Sequence, residues 1–169
     1  PTISRRQRQM CIRDRSKNYS AYQFLLFIIF FQIVMGAFVS GLDAGLIYQT
    51  WPMMGDAFVP NDVKLGSMQN FANFDNHSLV QFYHRCLAYL LILYIIFLTV
   101  LIYKNKLINL FKPLKILLYI LILQIFLGIT TLISGLNIYL ASAHQIIGVI
   151  FTLSAINPVS YTHLTLPTT

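Results

Sequence analysis

Four long apolar runs, separated by shorter polar stretches, dominate the pattern of hydrophobic and polar positions along this chain. A run of ~20 apolar residues is long enough to cross ~30 Å of hydrocarbon as a helix, and a helix pairs its own backbone groups within lipid. We therefore predict an all-α fold, an integral membrane four-helix bundle. The predicted spans are residues 21–42, 79–103, 114–133 and 138–156, and the last is expected to end at Asn157 and Pro158.

The composition favours a membrane protein over a water-soluble globular domain. The chain is 57% hydrophobic and only 10% charged, whereas soluble domains carry about 25% charged residues. Residues 1–17 are strongly basic, and residues 158–169 are polar and Thr-rich. Both ends resemble translated sequencing-adapter sequence, so we expect artefactual or disordered tails around a four-span membrane domain at residues 18–157. The alternative is a natural basic cytoplasmic tail with a disordered C-terminus, and no nucleic-acid partner is expected.

The first and third spans share a motif, which indicates an internal repeat of a helical hairpin. The first contains Gln32 and Gly36, the third contains Gln124 and Gly128 at the same spacing, and a Ser-Gly pair follows each. The next span of each hairpin has a histidine near its start. Lysines crowd the connection after the second span, whereas aspartates dominate residues 43–76. By the positive-inside rule, both chain ends should be cytoplasmic.

The candidate chemistry lies in two histidines, His84 and His144, near the starts of the second and fourth spans. At ~1.5 Å rise per residue, both lie about 8–9 Å below the outer boundary, so their imidazoles can converge inside a bundle, where bundles place cofactors. Ionisable residues within spans are functional by default because they are expensive in lipid. We predict that His84 and His144 are the axial ligands of one haem iron. Two histidines leave no open iron position, which favours electron transfer over oxygen binding.

Each of these residues also has a plainer interpretation. Either histidine alone could make an interhelical hydrogen bond without any cofactor. Arg85, next to His84, could pair with a haem propionate, because guanidinium binds carboxylate in a bidentate way; otherwise its charged end reaches the outer interface. The chain has no glutamate, and no aspartate lies in a span core. We therefore expect no catalytic residue in this chain.

Four stretches, in fixed order over residues 20–156, carry a resemblance to a known family. They are GAFVSGLDAGLIY at residues 36–48, TWPMMG at residues 50–55 with Pro60 following, NFDN at residues 73–76 leading to QFYHRCLAY at residues 81–89, and LGITTL at residues 127–132 with AHQ at residues 143–145. On these motifs the chain resembles haem A synthase, in its proteobacterial and mitochondrial branch. That membrane enzyme oxidises a methyl group of haem O to the formyl group of haem A.

The resemblance implies an eight-span parent with two similar four-helix halves. The N-terminal half is expected to hold the haem being oxidised and a glutamate needed for catalysis, and the C-terminal half a haem b cofactor. The match is to the C-terminal half, so His84 and His144 correspond to the haem b ligands, and this chain should not make haem A by itself. The implied partners are haem O and haem A as substrate and product, the missing N-terminal half, haem O synthase, an electron donor, the lipid bilayer and a second copy in a homo-oligomer.

The implied location is the bacterial inner membrane, or the mitochondrial inner membrane in a eukaryote, and the implied role lies in cytochrome oxidase assembly. Two other functions stay open. A cytochrome b-type electron-transfer subunit acting with quinone would also use histidine pairs, although it would not explain the TWPMMG loop. A non-redox scaffold or transporter would use His84 and His144 only for hydrogen bonds, and haem retention that depends on His84 would exclude it.

Overall fold

The computed structural model describes residues 5–63 and 72–164, and the side-chain contacts discussed below lie within residues 20–63 and 72–156. Its elements are α1 (Arg5–Gly41), α2 (His77–Lys104), α3 (Phe111–Ile133) and α4 (Ile138–Leu164), with one-turn 3-10 helices at Ala44–Leu46 and Ile108–Leu110. Each long helix contains a stretch long and apolar enough to cross a membrane. The predicted all-α membrane bundle is confirmed.

Two helices begin earlier than the hydrophobic pattern predicted. α2 begins at His77 because the Asn76 side chain caps it, accepting a hydrogen bond from the Leu79 backbone nitrogen at 3.0 Å. α3 begins at Phe111, and Pro113 falls within its first turn. A proline is tolerated there because its missing N–H would have had no partner within the helix.

The prediction that the last helix ends at Asn157 and Pro158 was wrong, because the backbone of α4 stays helical to Leu164. Proline removes one backbone hydrogen bond, but its fixed φ is compatible with a helix. At the other end, the backbone of α1 is helical from Arg5. The assignment of residues 1–17 and 158–169 as tails stays a prediction.

The four helices pack as two antiparallel hairpins, α1 with α2 and α3 with α4, and α1 also packs along α4. The α2–α3 side is the most loosely packed of the four sides. This order places α2 and α4 at opposite corners of the bundle. Side chains that face inward from these two helices can therefore approach each other across its centre.

The tightly packed core fills the half of the bundle nearest the α2–α3 connection, here called the core end. Its most buried side chains include Leu25, Ile95, Leu98, Ile102 and Leu117. Towards the opposite end, where residues 42–63 lie, both span histidines and the residues facing them are only half-buried. We call this looser level the histidine layer.

Residues 42–63 are the first described part of the loop between α1 and α2, and they contact both hairpins. Gly45 lies against the α3–α4 turn, where an added Cβ would lie 2.9 Å from Leu136 Cδ2, so a larger residue would displace this contact. On the other hairpin, Gln81 Nε2 of α2 donates to the Tyr48 carbonyl oxygen at 2.8 Å. The loop is therefore positioned by both halves of the bundle.

Candidate functional site

His84 lies near the loop end of α2 and faces α1. The Gln32 amide nitrogen lies 3.2 Å from the Nδ1 and 3.4 Å from the Nε2 of its ring, and donates to the His84 carbonyl oxygen at 3.3 Å. Gly36 lies four residues along the same face of α1, and a Cβ there would lie 3.2 Å from His84 Cε1. The imidazole therefore fits between an amide and a glycine of the preceding helix.

His144 occupies the equivalent position in the second hairpin. Gln124 Nε2 lies 3.3 Å from His144 Nε2, and a Cβ at Gly128 would lie 3.0 Å from the ring's Cε1. One turn along α4, a Cβ at Gly148 would lie 3.2 Å from Gln124 Nε2, so the small residue gives the amide its place. A glutamine and a glycine four positions apart on the preceding helix thus contact each histidine.

The two histidines occupy similar registers on helices at opposite corners of the bundle. His84 is seven residues beyond the first residue of α2, and His144 is six residues beyond the first residue of α4. These registers agree with the common depth that the sequence predicts, and the convergence of the two rings stays a prediction.

Several polar atoms of the histidine layer are buried without a partner. His144 Nδ1, Gln32 Oε1 and Gln124 Oε1 are buried and have no hydrogen-bond partner within the described residues. An unpaired buried polar group costs ~1–3 kcal/mol, so a cluster of such groups requires an explanation. Whichever ring nitrogen of a neutral imidazole carries no proton is the one that haem iron or another metal binds.

Arg85 is bound to the loop above the histidine layer. Its Nη2 donates to the Tyr48 carbonyl oxygen at 3.0 Å and its Nη1 to the Met53 carbonyl oxygen at 3.3 Å. The sequence suggested a propionate partner or the membrane interface, and the structure adds a third role, which is to anchor the loop. Guanidinium has five N–H donors, so pairing with a propionate stays a prediction that these two bonds do not exclude.

The same loop carries an acidic contact outside the spans. The Tyr48 hydroxyl donates to Asp62 Oδ1 at 2.9 Å. Burial by itself would raise the pKa of Asp62, but hydrogen bonds from Ser78 and Tyr48 outweigh it, so the pKa of this carboxyl is lowered. Burial and the neighbouring Asp62 raise the pKa of Tyr48. The ionised carboxylate therefore links the loop to the first turn of α2.

The family described as cytochrome oxidase assembly protein (COX15-CtaA) matches residues 2–156 of the chain. The chain belongs to this family. Similar proteins named haem A synthase occur in Pelagibacter ubique (strain HTCC1062), 48% identical over 132 residues, and in Wolbachia pipientis wMel, 40% identical over 144 residues. A third, from Rickettsia felis (strain ATCC VR-1525 / URRWXCal2), is 39% identical over 123 residues.

These matches cover most of the family member described here but a minor part of each relative. They span 78%, 85% and 73% of this chain and 38%, 39% and 36% of the respective relatives. The chain therefore spans less than two-fifths of the length of these haem A synthases. No solved structure matches it.

The number of histidines in this cytochrome oxidase assembly family member can be compared with what a haem and a protein-held metal ion require. The described residues contain no group of three or more His, Cys, Asp or Glu side chains that could hold a metal ion. A haem held by two axial ligands requires only two such side chains. His84 and His144, at opposite corners of the bundle, are two such side chains, and their ligation of a haem stays a prediction.

Sequence reasoning identified the two histidines but missed what surrounds them. Gln32 and Gln124 were recognised only as markers of the repeat, although residues four apart on a helix share a face. Tyr48, whose carbonyl oxygen receives both Gln81 and Arg85, gave no signal beyond an aromatic near the boundary. His77, by contrast, is exposed at the start of α2, outside the histidine layer.

Proposed function

We propose that this chain is the haem b-binding, C-terminal half of a haem A synthase, which converts haem O to haem A for cytochrome oxidase assembly. The observation that carries the proposal is the pair of half-buried histidines, His84 and His144, on helices at opposite corners of the bundle. Relatives that match most of this chain are named haem A synthase. Because the chain covers little more than a third of them, the complete activity belongs to a longer protein.

His84 and His144 would be the two axial ligands of one haem b. When both axial positions are taken by protein, the bound haem supplies one-electron transfer and does not bind oxygen. The protein's own residues would hold and surround this haem. The core end fixes the helices that carry the histidines, and the loop above the layer limits the access of water. Arg85 anchors that loop, and its remaining N–H donors would pair with a haem propionate.

The oxidation of haem O would take place outside this half. In the complete enzyme, two successive oxidations at one methyl group would convert it to a formyl group, while this half relays electrons or stabilises the bundle. The chain contains no glutamate, so the catalytic glutamate expected for the family would come from the other half. By itself, this chain is therefore expected to bind haem b and to produce no haem A.

The same proposal assigns an orientation, a membrane and partners. Four lysines lie at the core end of the bundle, at positions 104, 106, 112 and 115, so the positive-inside rule places that end in the cytoplasm. The histidine layer and its loop then lie towards the outer face of a bacterial inner membrane, or of the mitochondrial inner membrane. Haem O, haem A, the N-terminal half, haem O synthase, an electron donor and a second copy of the chain are the proposed partners.

A visible absorption spectrum of the full chain tests the haem site directly. The protein is expressed with added haem precursor and purified in detergent. We expect a sharp reduced α-band typical of six-coordinate haem b, and its loss in His84→Ala and in His144→Ala. His77→Ala is the matched control, because His77 is exposed at the first residue of α2. That variant should keep the band.

Helical content and monodispersity are measured on every sample, so that loss of haem is separated from loss of fold. A helical, monodisperse wild-type chain that binds no haem would overturn the proposal. A band that survives both histidine substitutions would do the same. If the wild-type chain aggregates, the three variants are compared within the longer parent protein, where the same band and the same losses are expected.

A further inference from the structure

Two glutamines, one in each hairpin, occupy equivalent positions beside the histidines. The Gln32 amide nitrogen lies 3.2 and 3.4 Å from the ring nitrogens of His84, and that of Gln124 lies 3.3 Å from His144 Nε2. A neutral imidazole nitrogen with a lone pair accepts a hydrogen bond from such an amide. Polar side chains are costly within a span, so their recurrence at one repeat position indicates a function.

The other end of each amide has no partner. Gln32 Oε1 and Gln124 Oε1 are both buried, and neither has a hydrogen-bond partner in the part of the chain that the structure describes. A half-turn of the amide exchanges its donor and acceptor ends at almost no cost in shape, and in Gln32 it also gives up the bond to the His84 carbonyl oxygen. Each imidazole therefore has beside it a group that can either donate a hydrogen bond or accept one.

An imidazole that binds iron needs a hydrogen-bond acceptor beside its other ring nitrogen. The nitrogen that binds iron gives up its lone pair, so the other ring nitrogen carries the proton and requires an acceptor. A leucine side chain has no hydrogen-bond acceptor, and a lysine side chain can only donate hydrogen bonds. Glutamine can serve the free imidazole as a donor and the iron-bound imidazole as an acceptor, which explains this residue type at both positions.

We propose that Gln32 and Gln124 are positioning residues for the two haem ligands. Each accepts, through its carbonyl oxygen, the N–H of the ring nitrogen that does not bind iron. The inference rests on the haem-binding function proposed above. An acceptor at that nitrogen fixes the orientation of the ring and makes the imidazole a more basic ligand. A more basic ligand stabilises ferric iron and so lowers the reduction potential of the haem.

The test compares two substitutions at each glutamine in the full chain loaded with haem. Gln32→Leu and Gln124→Leu remove the amide at similar volume, whereas Gln32→Glu and Gln124→Glu keep an acceptor oxygen. The leucine variants should raise the reduction potential and weaken haem binding by roughly 10- to 100-fold. The glutamate variants should keep the potential at or below that of the wild type. A purely structural role would move both kinds of variant in the same direction.

Gln81→Leu is the matched control, since Gln81 is a buried glutamine of α2 that bonds to the loop carbonyl of Tyr48 and to neither histidine. The reduction potential of Gln81→Leu should shift less than that of Gln32→Leu or Gln124→Leu. Leucine variants that bind haem at the wild-type potential would overturn the inference and leave the haem-binding proposal intact. A wild-type chain without haem would refute that proposal instead. If a leucine variant does not fold, a glutamate variant whose potential rises above the wild-type value overturns the inference.

Discussion

Gly128 approaches His144 so closely that a Cβ at this glycine would lie 3.0 Å from Cε1 of the ring. Such a contact is tighter than nine in ten Cβ contacts in proteins, so the ring would have to move by a few tenths of an ångström. Gly36 and His84 repeat the relationship at 3.2 Å in the other hairpin. Each histidine is thus positioned partly by the lack of a side chain on the preceding helix.

Gly128→Ala should displace the His144 imidazole and weaken haem binding. Overpacking a filled site costs ~1–3 kcal/mol, and ~1.4 kcal/mol corresponds to a tenfold change in affinity. We therefore expect the apparent haem affinity to fall by roughly 5- to 100-fold. Gly36→Ala should have a smaller effect, because its Cβ would lie 3.2 rather than 3.0 Å from the ring. Titration of the haem-free chain with haem measures both changes.

Gly41→Ala provides the control for a glycine substitution in this region. Gly41 is the last residue of α1, and a Cβ added there meets nothing within 4 Å in the described part of the chain. Its haem affinity should equal that of the wild type. Equal losses of haem affinity in Gly41→Ala and Gly128→Ala would show that the loss comes from the helix backbone and not from the space beside the His144 ring.

Arg85→Ala should release the loop above the histidine layer, because its guanidinium donates to the carbonyl oxygens of Tyr48 and Met53. Trp51 lies between these two residues and is the only tryptophan of the chain, so its fluorescence reports on the loop. We expect Trp51 emission to move to longer wavelength and haem retention to decrease. Arg85→Lys should be intermediate, since a single ammonium group cannot reproduce the fork of two guanidinium nitrogens.

The two assays separate the roles suggested for Arg85. Loss of haem with unchanged Trp51 emission would contradict the anchoring role and favour the propionate role. A change in emission without any change in haem retention or reduction potential would exclude the propionate role. If neither signal changes in Arg85→Ala, both roles are wrong, and the charged end of the side chain simply reaches the interface.

The bundle could be predicted from the sequence because lipid leaves the backbone few solutions. The predicted span at Ile138–Ile156 matches the observed apolar stretch of α4. The start of α2 was missed because the Asn76 cap, and not apolar periodicity, decides it. The start of α3 was missed because the predicted span followed the apolar run from residue 114, whereas the helix already includes Phe111 and accepts Pro113 in its first turn.

The surroundings of the histidines could not be predicted because they depend on contacts between residues far apart in the sequence. Arg85 reaches carbonyl groups 32 and 37 positions earlier in the chain, and no spacing rule connects such positions. The one-residue offset from His84 left two roles open, because it turns the side chain by only ~100°. The repeat did place Gln32 and Gln124 at equivalent positions, but it could not show that their amides reach the imidazole rings.

The Asp62 contact predicts an acid-sensitive loop. The pKa of this carboxyl is lowered in the folded chain, so its contribution to stability is complete above the ordinary carboxyl pKa of ~3.9. That contribution is lost as the pH falls through the lowered folded value. Trp51 emission should therefore change on acidification below about pH 4. The effect should be small, because Asp62 is exposed.

Asp62→Asn should remove this acid transition, because the amide cannot titrate and the Tyr48 hydroxyl loses a charged acceptor. Its Trp51 emission at neutral pH should already resemble that of the acidified wild type. Asp56→Asn, in the same loop, is the control and should keep the wild-type transition. A transition that persists in Asp62→Asn would assign the acid sensitivity to a different carboxyl group.

Ile95→Ala should lower the stability of the bundle without altering the haem. Ile95 is fully buried in the core end, at 0% exposure, and lies about three turns from His84 along α2. Truncation of a buried isoleucine costs ~2–5 kcal/mol, which thermal unfolding in detergent would detect. Leu93→Ala should have little effect, because Leu93 is 65% exposed on the lipid-facing side. Because Ile95 lies about three turns from the nearer histidine, the spectrum and reduction potential of haem-loaded Ile95→Ala should match the wild type. A shifted potential would show instead that the two levels act as one cooperative unit, so that packing at the core end sets the positions of the histidines.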